Sequence, residues 1–260
     1  MIRKMSRLLP YTRPMKLAVI ADIHGNLLAL EAVLADIDRR GLQQVINLGD
    51  VASGPLWPRE TVELVQSRAI ATLRGNHDRW IGEGGEGHSD SFARDQMDGG
   101  QVAWLWGLPP RLEPAPGVLA FHARPDDDSA YLLEEVASGR LIPSVAAEVA
   151  ARLGPTEATL LLCAHSHLAG MLLLEDGRLV LNPGSVGCPA YADPTPPPHV
   201  SEAGSPFARY AVLEVEAGRL LGCEMIALAY HHEAAAARAE SLGRAGWAHA
   251  LRTGLMPFGG

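Results

Sequence analysis

Five short stretches of this 260-residue chain bring carboxylate, amide and imidazole groups together at close spacing. They are Asp22-x-His24, Gly49-Asp50, Gly75-Asn76-His77-Asp78, the single His122, and His165-x-His167. Half of the ten histidines fall in this set. Nitrogen and oxygen donors without cysteine suit borderline divalent ions such as Mn, Fe, Ni or Zn. In Gly75-Asn76-His77-Asp78 a neutral oxygen ligand, a titratable imidazole and a carboxylate able to orient it arrive side by side, parts that a hydrolytic metal site could use. Singly, each stretch has an ordinary reading: Gly-Asn as a turn, Asp-x-His as a surface turn, a lone histidine as structural. Their shared position in the chain pattern is what joins them.

Each stretch follows an apolar run that reads as a buried strand: Lys16 to Ala21, Val45 to Leu48, Ala69 to Leu73, Val118 to Phe121, and Thr159 to Cys163. Residues two apart on a strand point the same way, so the pleat is expected to turn Asp22 and His24, and likewise His165 and His167, toward one point. Asn26 suits the N-cap of a helix in which Leu27, Leu30, Leu34 and Ile37 keep helical spacing and Gly41 supplies the stop. Its positive end would lie near any bound phosphate. Pro58 suits the first turn of a second helix through Gln66. Successive strand-helix units deliver polar residues to the strands' carboxyl ends, where ligand sites of open α/β sheets lie.

The remaining segments carry weaker signals. Ile81 to Ser91 is glycine-rich and acidic and is expected to be a mobile loop; Val102 to Trp106 reads as a short helix, and Asp126-Asp127-Asp128 as the start of another. Val145 to Leu153 looks helical. Met171 to Leu174 with Arg178 to Leu181, and Arg209 to Val215 with Leu220 to Ile226, read as hairpins. Cys188 to Pro206 reads as an extended loop and the alanine-rich Leu228 to Leu251 as one helix, whose His231, His232 and His249 are assigned no role.

Bulk properties narrow the class. The apolar fraction of 47% supports a sizeable core, and 260 residues suit one sandwich or α/β domain. A formal charge of -8 argues against a binder of nucleic-acid polymers, yet leaves a phosphate-bearing substrate open because bound cations reverse the sign locally. Cys163, Cys188 and Cys223 lack metal-ligand spacing and read as free thiols in a reducing compartment. Met1 to Pro14 is basic without the apolar core of a signal peptide and reads as an N-terminal extension to a single domain over 15–260. No stretch approaches bilayer-spanning length, so a soluble cytoplasmic protein is expected.

In this order the motifs resemble the calcineurin-like metallophosphoesterase family, and in particular its small bacterial and archaeal phosphodiesterase-like branch. The likeness runs from Asp22 to Gly187 and includes the Asn182-Pro183-Gly184-Ser185 turn and the Gly54-Pro55 after Gly49-Asp50. It implies a four-layer α-β-β-α sandwich, two central mixed sheets with helices outside, and a dinuclear metal site at one edge. By motif, Asp22, His24 and His167 would hold one divalent ion. Asn76, which could also meet the substrate, would hold the other with His122 and His165. Asp50 would bridge the two, sharing its two oxygens between ions roughly 3.5 Å apart. A metal-bridging hydroxide would attack phosphorus in line, His77 would protonate the leaving oxygen, and Asp78 would orient His77. Arg124, two residues after His122, would lie at the mouth and bind a phosphate oxygen or the second ester group, the alternative being a surface arginine paired with Asp126 or Asp127.

Ala164 before His-x-His, Ala123 after His122 and a short Asp50–Pro55 loop depart from the family pattern without removing a ligand. The implied activity is hydrolysis of a small phosphate ester, a nucleotide among the candidates, with diesters preferred. Phosphomonoesterase, nucleotidase and dinucleoside polyphosphate hydrolase are the alternatives. No membrane or nucleic-acid polymer is expected as a partner, and self-association is left open. The fold also serves as a non-catalytic scaffold, as in the retromer's phosphoesterase-like subunit. Retention of His77 with all seven ligand candidates argues against that reading.

Overall fold

Alternate residues of the first strand, β1 (Met15–Ile20), face two different cores. Ala18 and Ile20 pack with Leu30, Val33 and Ile37 of the helix α1 (Leu27–Arg39). Leu17 and Val19 point the other way, onto Val118, Leu160 and Leu162. A strand buried on both faces must lie inside stacked layers, and a period of two sorts its side chains between them.

The computed structural model describes residues 14–257. The expected N-terminal extension therefore lies, except for Pro14, outside the described residues. After α1 come β2 (Val45–Asn47), α2 (Pro58–Ser67), β3 (Ala71–Thr72), α3 (Asn76–Glu83), α4 (His88–Gln96) and α5 (Gly99–Trp106). The middle of the chain forms β4 (Arg111–Ala115), β5 (Val118–Phe121), β6 (Glu134–Ala137), β7 (Arg140–Pro143), α6 (Ala146–Leu153) and β8 (Leu160–Leu162). Then follow β9 (Gly170–Leu173), β10 (Leu179–Asn182), β11 (Ala190–Asp193), β12 (His199–Glu202), β13 (Ala208–Glu216) and β14 (Arg219–Leu228). Two helices, α7 (His232–Ser241) and α8 (Ala245–Thr253), end the described chain.

One central sheet has the order β14-β13-β1-β2-β3 and the other β4-β5-β8-β10-β9. Both are mixed. β1, β2 and β3 run parallel, as do β5, β8 and β10, whereas β13, β14, β4 and β9 pair antiparallel. The outer face of the second sheet (Phe121, Leu161, Cys163, Val180) is covered by Val149 and Leu153 of α6. Helix, sheet, sheet, helix is thus the observed layering, as expected from the sequence. Parallel strands in each sheet bring the ends of β1, β2, β3, β5 and β8 to one edge.

Four expectations were not met. Cys188 to Pro206 is not plain loop: β11 and β12 join β7 and β6 in a third sheet, ordered β11-β12-β7-β6. No helix begins at Asp126. The Asp128 carboxylate is held by both Arg79 Nε and Nη2 at 2.8 and 2.7 Å, so it locks a turn rather than capping a helix. The Ile81–Ser91 segment is mostly helix, with only residues 84–87 between α3 and α4, where Gly84 adopts φ 81° and ends α3. The alanine-rich C-terminal region is broken at Gly243, φ 73°, into α7 and α8; composition announces helix but not where it turns back. In other respects the two expected hairpins and the helices at Asn26, Pro58 and Val145 form close to their expected limits.

The Asn182-Pro183-Gly184-Ser185 turn ties the two central sheets together. Asn182 Nδ2 donates to Ala164 O and Ser166 Oγ, both at 3.0 Å, and its Oδ1 accepts from Gly184 N at 2.8 Å. Ser185 Oγ donates to Asp22 O at 2.8 Å, and Val186 N and Gly187 N donate to Ala21 O and Asp22 O. One turn thereby grips the loop after β1 and the loop after β8. Asn182→Ala leaves buried groups on both sides without partners, and we expect a loss of about 2 kcal/mol of stability. A lower urea midpoint at unchanged m-value would show it; an unchanged midpoint would mean the turn braces nothing.

Candidate metal centre

The loops that leave the strand ends lie side by side and exchange backbone hydrogen bonds. Asp22 N donates to Gly49 O, His24 N to Asp50 O, and Ala164 N to His122 O. Asp22, His24, Asp50, His165 and His167 all have positive φ, between 51° and 69°. These five account for most of the non-glycine positive-φ residues among those described. Left-handed backbone is costly for residues with a Cβ, and such strain concentrates at functional sites. It also corrects the reason for convergence. β1 ends at Ile20 and β8 at Leu162, so the Asp-x-His and His-x-His pairs meet through successive left-handed turns, not through a strand's pleat.

Two groups of three side chains each present donor atoms within 4.8 Å of one another: Asp22, His24 and His167, and Asp50, His122 and His165. Asp50 Oδ2 lies 3.7 Å from His24 Nε2 and 3.3 Å from His122 Nε2, between the groups. His24 Nε2 and His167 Nε2 are 3.1 Å apart. Asn76 Oδ1 is 3.1 Å from His165 Nδ1, which adds the amide to the second group. The sequence gives Asp50 two oxygens to share, but Oδ1 accepts the His77 N–H at 3.0 Å, so Oδ2 alone faces both sets of imidazoles. Gly75 is required here: a Cβ at that position would stand 2.1 Å from Asp50 Oδ1.

The second ring nitrogens fix the tautomers. Nδ1 of His24, His122 and His167 meets the carbonyls of Ser53, Leu48 and Cys188 at 2.8, 2.7 and 2.7 Å. With Nδ1–H donated outward, each Nε2 lone pair points into the site, the usual arrangement of ligating histidines. His165 is reversed: its Nε2 meets Ser129 O at 3.0 Å, leaving Nδ1 for the interior. Both oxygens of Asp22, which is 0% exposed, and Nε2 of His122 are buried without a hydrogen-bond partner. Orphaned buried carboxylate oxygens are expensive unless something else satisfies them, and this donor set fits divalent cations.

Burial sets the electrostatics. It pushes Asp22 up to about 8, with Asp50 adding to the rise, and lowers His24 to about 4 and His165 to about 3. His167 is driven well below its usual range by burial and by the neighbouring His24. Burial works the same way on His122, but the carboxylates of Asp50 and Asp22 prevail and push it up to about 10. Asp50 is held well below the carboxylate range: burial opposes ionisation and is outweighed by His122, His77 and His24. The pocket thus favours neutral imidazoles at His24, His165 and His167 around an ionised Asp50, while the raised His122 shows how strongly the buried carboxylates reward positive charge beside them.

His77 is half-buried and lies outside both groups of donors. Its Nδ1 is 2.8 Å from Asp90 Oδ1 and 3.1 Å from Ser53 Oγ. Burial lowers its pKa, but the charge of Asp50 and the hydrogen bond donated to Asp90 give a net rise. Asp78, expected to orient this ring, does not reach it. Its carboxylate accepts the N–H groups of Asp50, Val51 and Gly75 at 2.9, 3.0 and 3.0 Å and clips the loop after β2 to the start of α3. The orienting role falls geometrically to Asp90, which is buried on α4. The sequence hid it because the glycines around it read as a mobile loop.

A cleft of about 680 Å³ opens over the centre, lined by Asn76, His77, Trp80, Tyr131, Tyr191 and Trp247 among others. Arg124 is not among its lining residues. Its Nε donates to Tyr131 O at 2.9 Å, and its side chain borders a smaller cavity of about 310 Å³ beside His122, with Arg74, Arg79 and Asp126–Asp128. The expected contact of Arg124 with a substrate in the main cleft is not supported by this position. Ser53, Trp80 and Trp247 went unnoticed in the sequence, where nothing in their spacing sets them apart.

A family model described as the calcineurin-like phosphoesterase superfamily domain matches residues 15–217. An uncharacterized protein of Methanocaldococcus jannaschii is 31% identical over 204 residues, covering 66% of this chain and 76% of that protein. The crystal structure of a metallophosphoesterase from Sphaerobacter thermophilus aligns with TM-score 0.70 at 24% identity, covering 93% of this chain and 99% of that one. A hypothetical protein from Pyrococcus horikoshii OT3 also aligns at 0.70, with 20% identity over 94% of this chain and 100% of that one. The two structures speak for the fold, and the family match speaks for the motifs that fold carries. The chain belongs to the calcineurin-like phosphoesterase superfamily.

Proposed function

We propose that the protein is a divalent-metal-dependent phosphoesterase acting on small phosphate esters, diesters in preference to monoesters. The observation that carries the reading is the buried carboxylate of Asp22, both oxygens without a partner, facing histidines whose Nε2 atoms are turned inward. The diester preference rests on the likeness of the motifs to the phosphodiesterase-like branch. In this reading Asp22, His24 and His167 would hold one cation, Asn76, His122 and His165 would hold the other, and Asp50 would be shared between them. Mn, Fe, Ni and Zn all suit the donor set. When bound, the two cations supply the nucleophile and neutralise charge on the phosphoryl oxygens.

The chain's own residues do the rest. Asp90 accepts Nδ1–H of His77, which leaves Nε2 to carry a proton toward the cleft and give it to the departing oxygen. The Asn76 amide, at the first turn of α3, can contact substrate as well as metal. Asp78 keeps the Asp50 loop in register and acts through it. A non-catalytic scaffold has no use for a histidine so oriented beside the cleft. Residues 15–260 work as one domain in this proposal: Ala235, Ala236, Ala239 and Leu251 of the last two helices pack on Leu56. The free thiols Cys163, Cys188 and Cys223 fit a cytoplasmic setting, and among the described residues no helix is long and apolar enough to cross a membrane.

The test of the reading is hydrolysis by protein loaded with Mn, Ni, Fe or Zn. The panel contains an aryl phosphodiester, an aryl monoester, a 2',3'-cyclic nucleotide and a dinucleoside polyphosphate. Absence of turnover on every one of them overturns it. Asp50→Asn is expected to lower occupancy of both metal positions, since one carboxylate is shared between them. Elemental analysis finding two tightly bound ions per mutant chain removes Asp50 from that role. His77→Ala should keep both metals and lose roughly 10²- to 10⁴-fold in kcat. The loss should be smaller for a nitrophenolate leaving group than for an alkoxide, because a good leaving group needs little protonation. Equal losses for both refute the acid assignment. Asp90→Asn should retain metal content and lose about tenfold or more in kcat, with the same dependence on the leaving group. A defect independent of the leaving group would mean that Asp90 acts only in folding.

A further inference from the structure

The cleft has a wall that the family match does not include. α7 and α8 lie beyond residue 217, and α8 with the residue before it contributes Trp247 and Arg244 to the lining. The two are three residues apart, so they share one side of the helical turn. Trp247 approaches the candidate centre directly, its ring 6.2 Å from that of His24 in an edge-to-face arrangement. Trp80 does the same from the other end, 4.8 Å from His77. His24 and His77 are 5.3 Å apart, so the row Trp80, His77, His24, Trp247 runs along the cleft with a tryptophan at each end. Opposite stand Tyr131 beside His165 and Tyr191 beside His167, at 5.0 and 4.7 Å.

Arg244 is the single lysine or arginine among the described residues that line this cleft. Its one side-chain hydrogen bond is Nη2 to Ser89 Oγ at 3.0 Å, across to α4. No carboxylate of the described residues lies within ion-pair distance of it. Burial lowers its pKa and no acidic neighbour offsets that cost. Of the cleft's carboxylates outside the metal set, Asp90 is engaged with His77, and Asp193 accepts from Thr195 N and Oγ1. A half-buried guanidinium has five donors in a planar fork, and four here are free. Some arginines elsewhere are ion-paired, as Arg79 is with Asp128 and Arg252 with Glu240, and others, such as Arg209 and Arg238, donate only to backbone or hydroxyl oxygens; Arg244 differs from both sets in lining the cleft over the centre. A desolvated arginine left unpaired in a cleft is arranged for an anion brought by the ligand.

From this wall we infer that Arg244 and Trp247 are specificity-determining residues that select phosphate esters of a planar aromatic group carrying a second anionic group, the chemistry of a nucleotide with more than one phosphate. The inference rests on the phosphoesterase reading of the centre. One phosphate lies at the histidines and carboxylates, Arg244 takes the next, and the aromatic moiety packs on the tryptophan and tyrosine rings. Bases stack on such rings without sequence preference, so the wall selects for a base and a phosphate count and not for one particular base.

The experiment uses metal-loaded full-length protein and three ligands, adenosine, AMP and ADP, as competitors of aryl phosphodiester hydrolysis. Each affinity is measured independently by quenching of tryptophan fluorescence. Wild type should bind ADP roughly tenfold more tightly than AMP, the contribution of one charge-assisted contact, and adenosine most weakly. Arg244→Ala should bring the ADP-to-AMP ratio near one, and Arg244→Lys should restore part of it. Trp247→Leu should weaken AMP and ADP alike and leave their ratio standing. Thermal melting of each variant separates a lost contact from a lost fold. Equal binding of AMP and ADP by wild type, or a ratio that survives Arg244→Ala, overturns the inference. Failure to hydrolyse any ester while the Arg244-dependent ratio persists would refute the phosphoesterase reading and leave this wall as a nucleotide site. Loss of both would refute both.

Discussion

One buried carboxylate oxygen sets the terms for the rest of this molecule. Asp50 Oδ2 stands between His24 Nε2 and His122 Nε2, and Asp50 itself is 1% exposed. An ionised carboxylate in that position survives only where compensating charge and donors surround it. The chain answers on every side. The N–H of His77 at the start of α3 fixes Oδ1, Asp78 grips the backbone on either side of Asp50, and Gly75 gives up its side chain so that the strands can close. Left-handed turns at Asp22, His24, Asp50, His165 and His167 then swing the remaining donors inward. Each such residue is unfavourable in isolation, and together they hold only because loops from two sheets are hydrogen-bonded to one another.

The parts legible in the sequence were those with a period or a fixed spacing. Buried strands announce themselves as apolar runs, and the polar residues at their ends keep chain order, so the layering and the seven candidate ligands are legible, whereas the roles expected for Asp78 and Arg124 are not what their positions support. What stayed hidden was conformation outside the strands. A pleat and a pair of left-handed turns both bring residues i and i+2 to one side, and sequence does not distinguish them. The glycines of Ile81 to Ser91 suggested motion, whereas Gly84 merely ends one helix and Asp90 in the next packs against His77. The third sheet was unreadable because β6, β7, β11 and β12 are four residues each and lie among prolines, serines and glycines. Such short edges are held by pairing across the sheet, not by local preference.

Asp78 holds backbone although it is the carboxylate next in sequence to His77. Adjacency suggested that this carboxylate serves the next-door imidazole, yet on a helix neighbouring residues face different directions. Asp78 sits in the first turn of α3, where it meets free N–H groups, and burial with the charge of Asp50 pushes it up to about 7. His77 points the other way, toward the cleft, and finds Asp90 from a different helix. Two carboxylates near one histidine thus divide the work: one holds backbone, the other holds the ring.

The same separation runs through the whole architecture. The family match stops at residue 217 and includes all the candidate donors, together with Trp80, Tyr131 and Tyr191 of the cleft wall. α7 and α8 bring no candidate ligand. They bury alanines against Leu56, which allows a close approach, and that approach carries Trp247 to the edge of His24 and Arg244 to α4. Small residues on the buried face are what let large ones reach the cleft: bulkier side chains at Ala235, Ala236 and Ala239 would lift the helices away and widen the opening. The centre's strained loops are braced from within by Asn182 and Ser185, while α7 reaches the far end of the loop after β2, where Arg238 Nε donates to Leu56 O at 2.7 Å. Candidate donors converge at the sheet edge, and a helical pair packs on it from outside to complete one wall of the cleft.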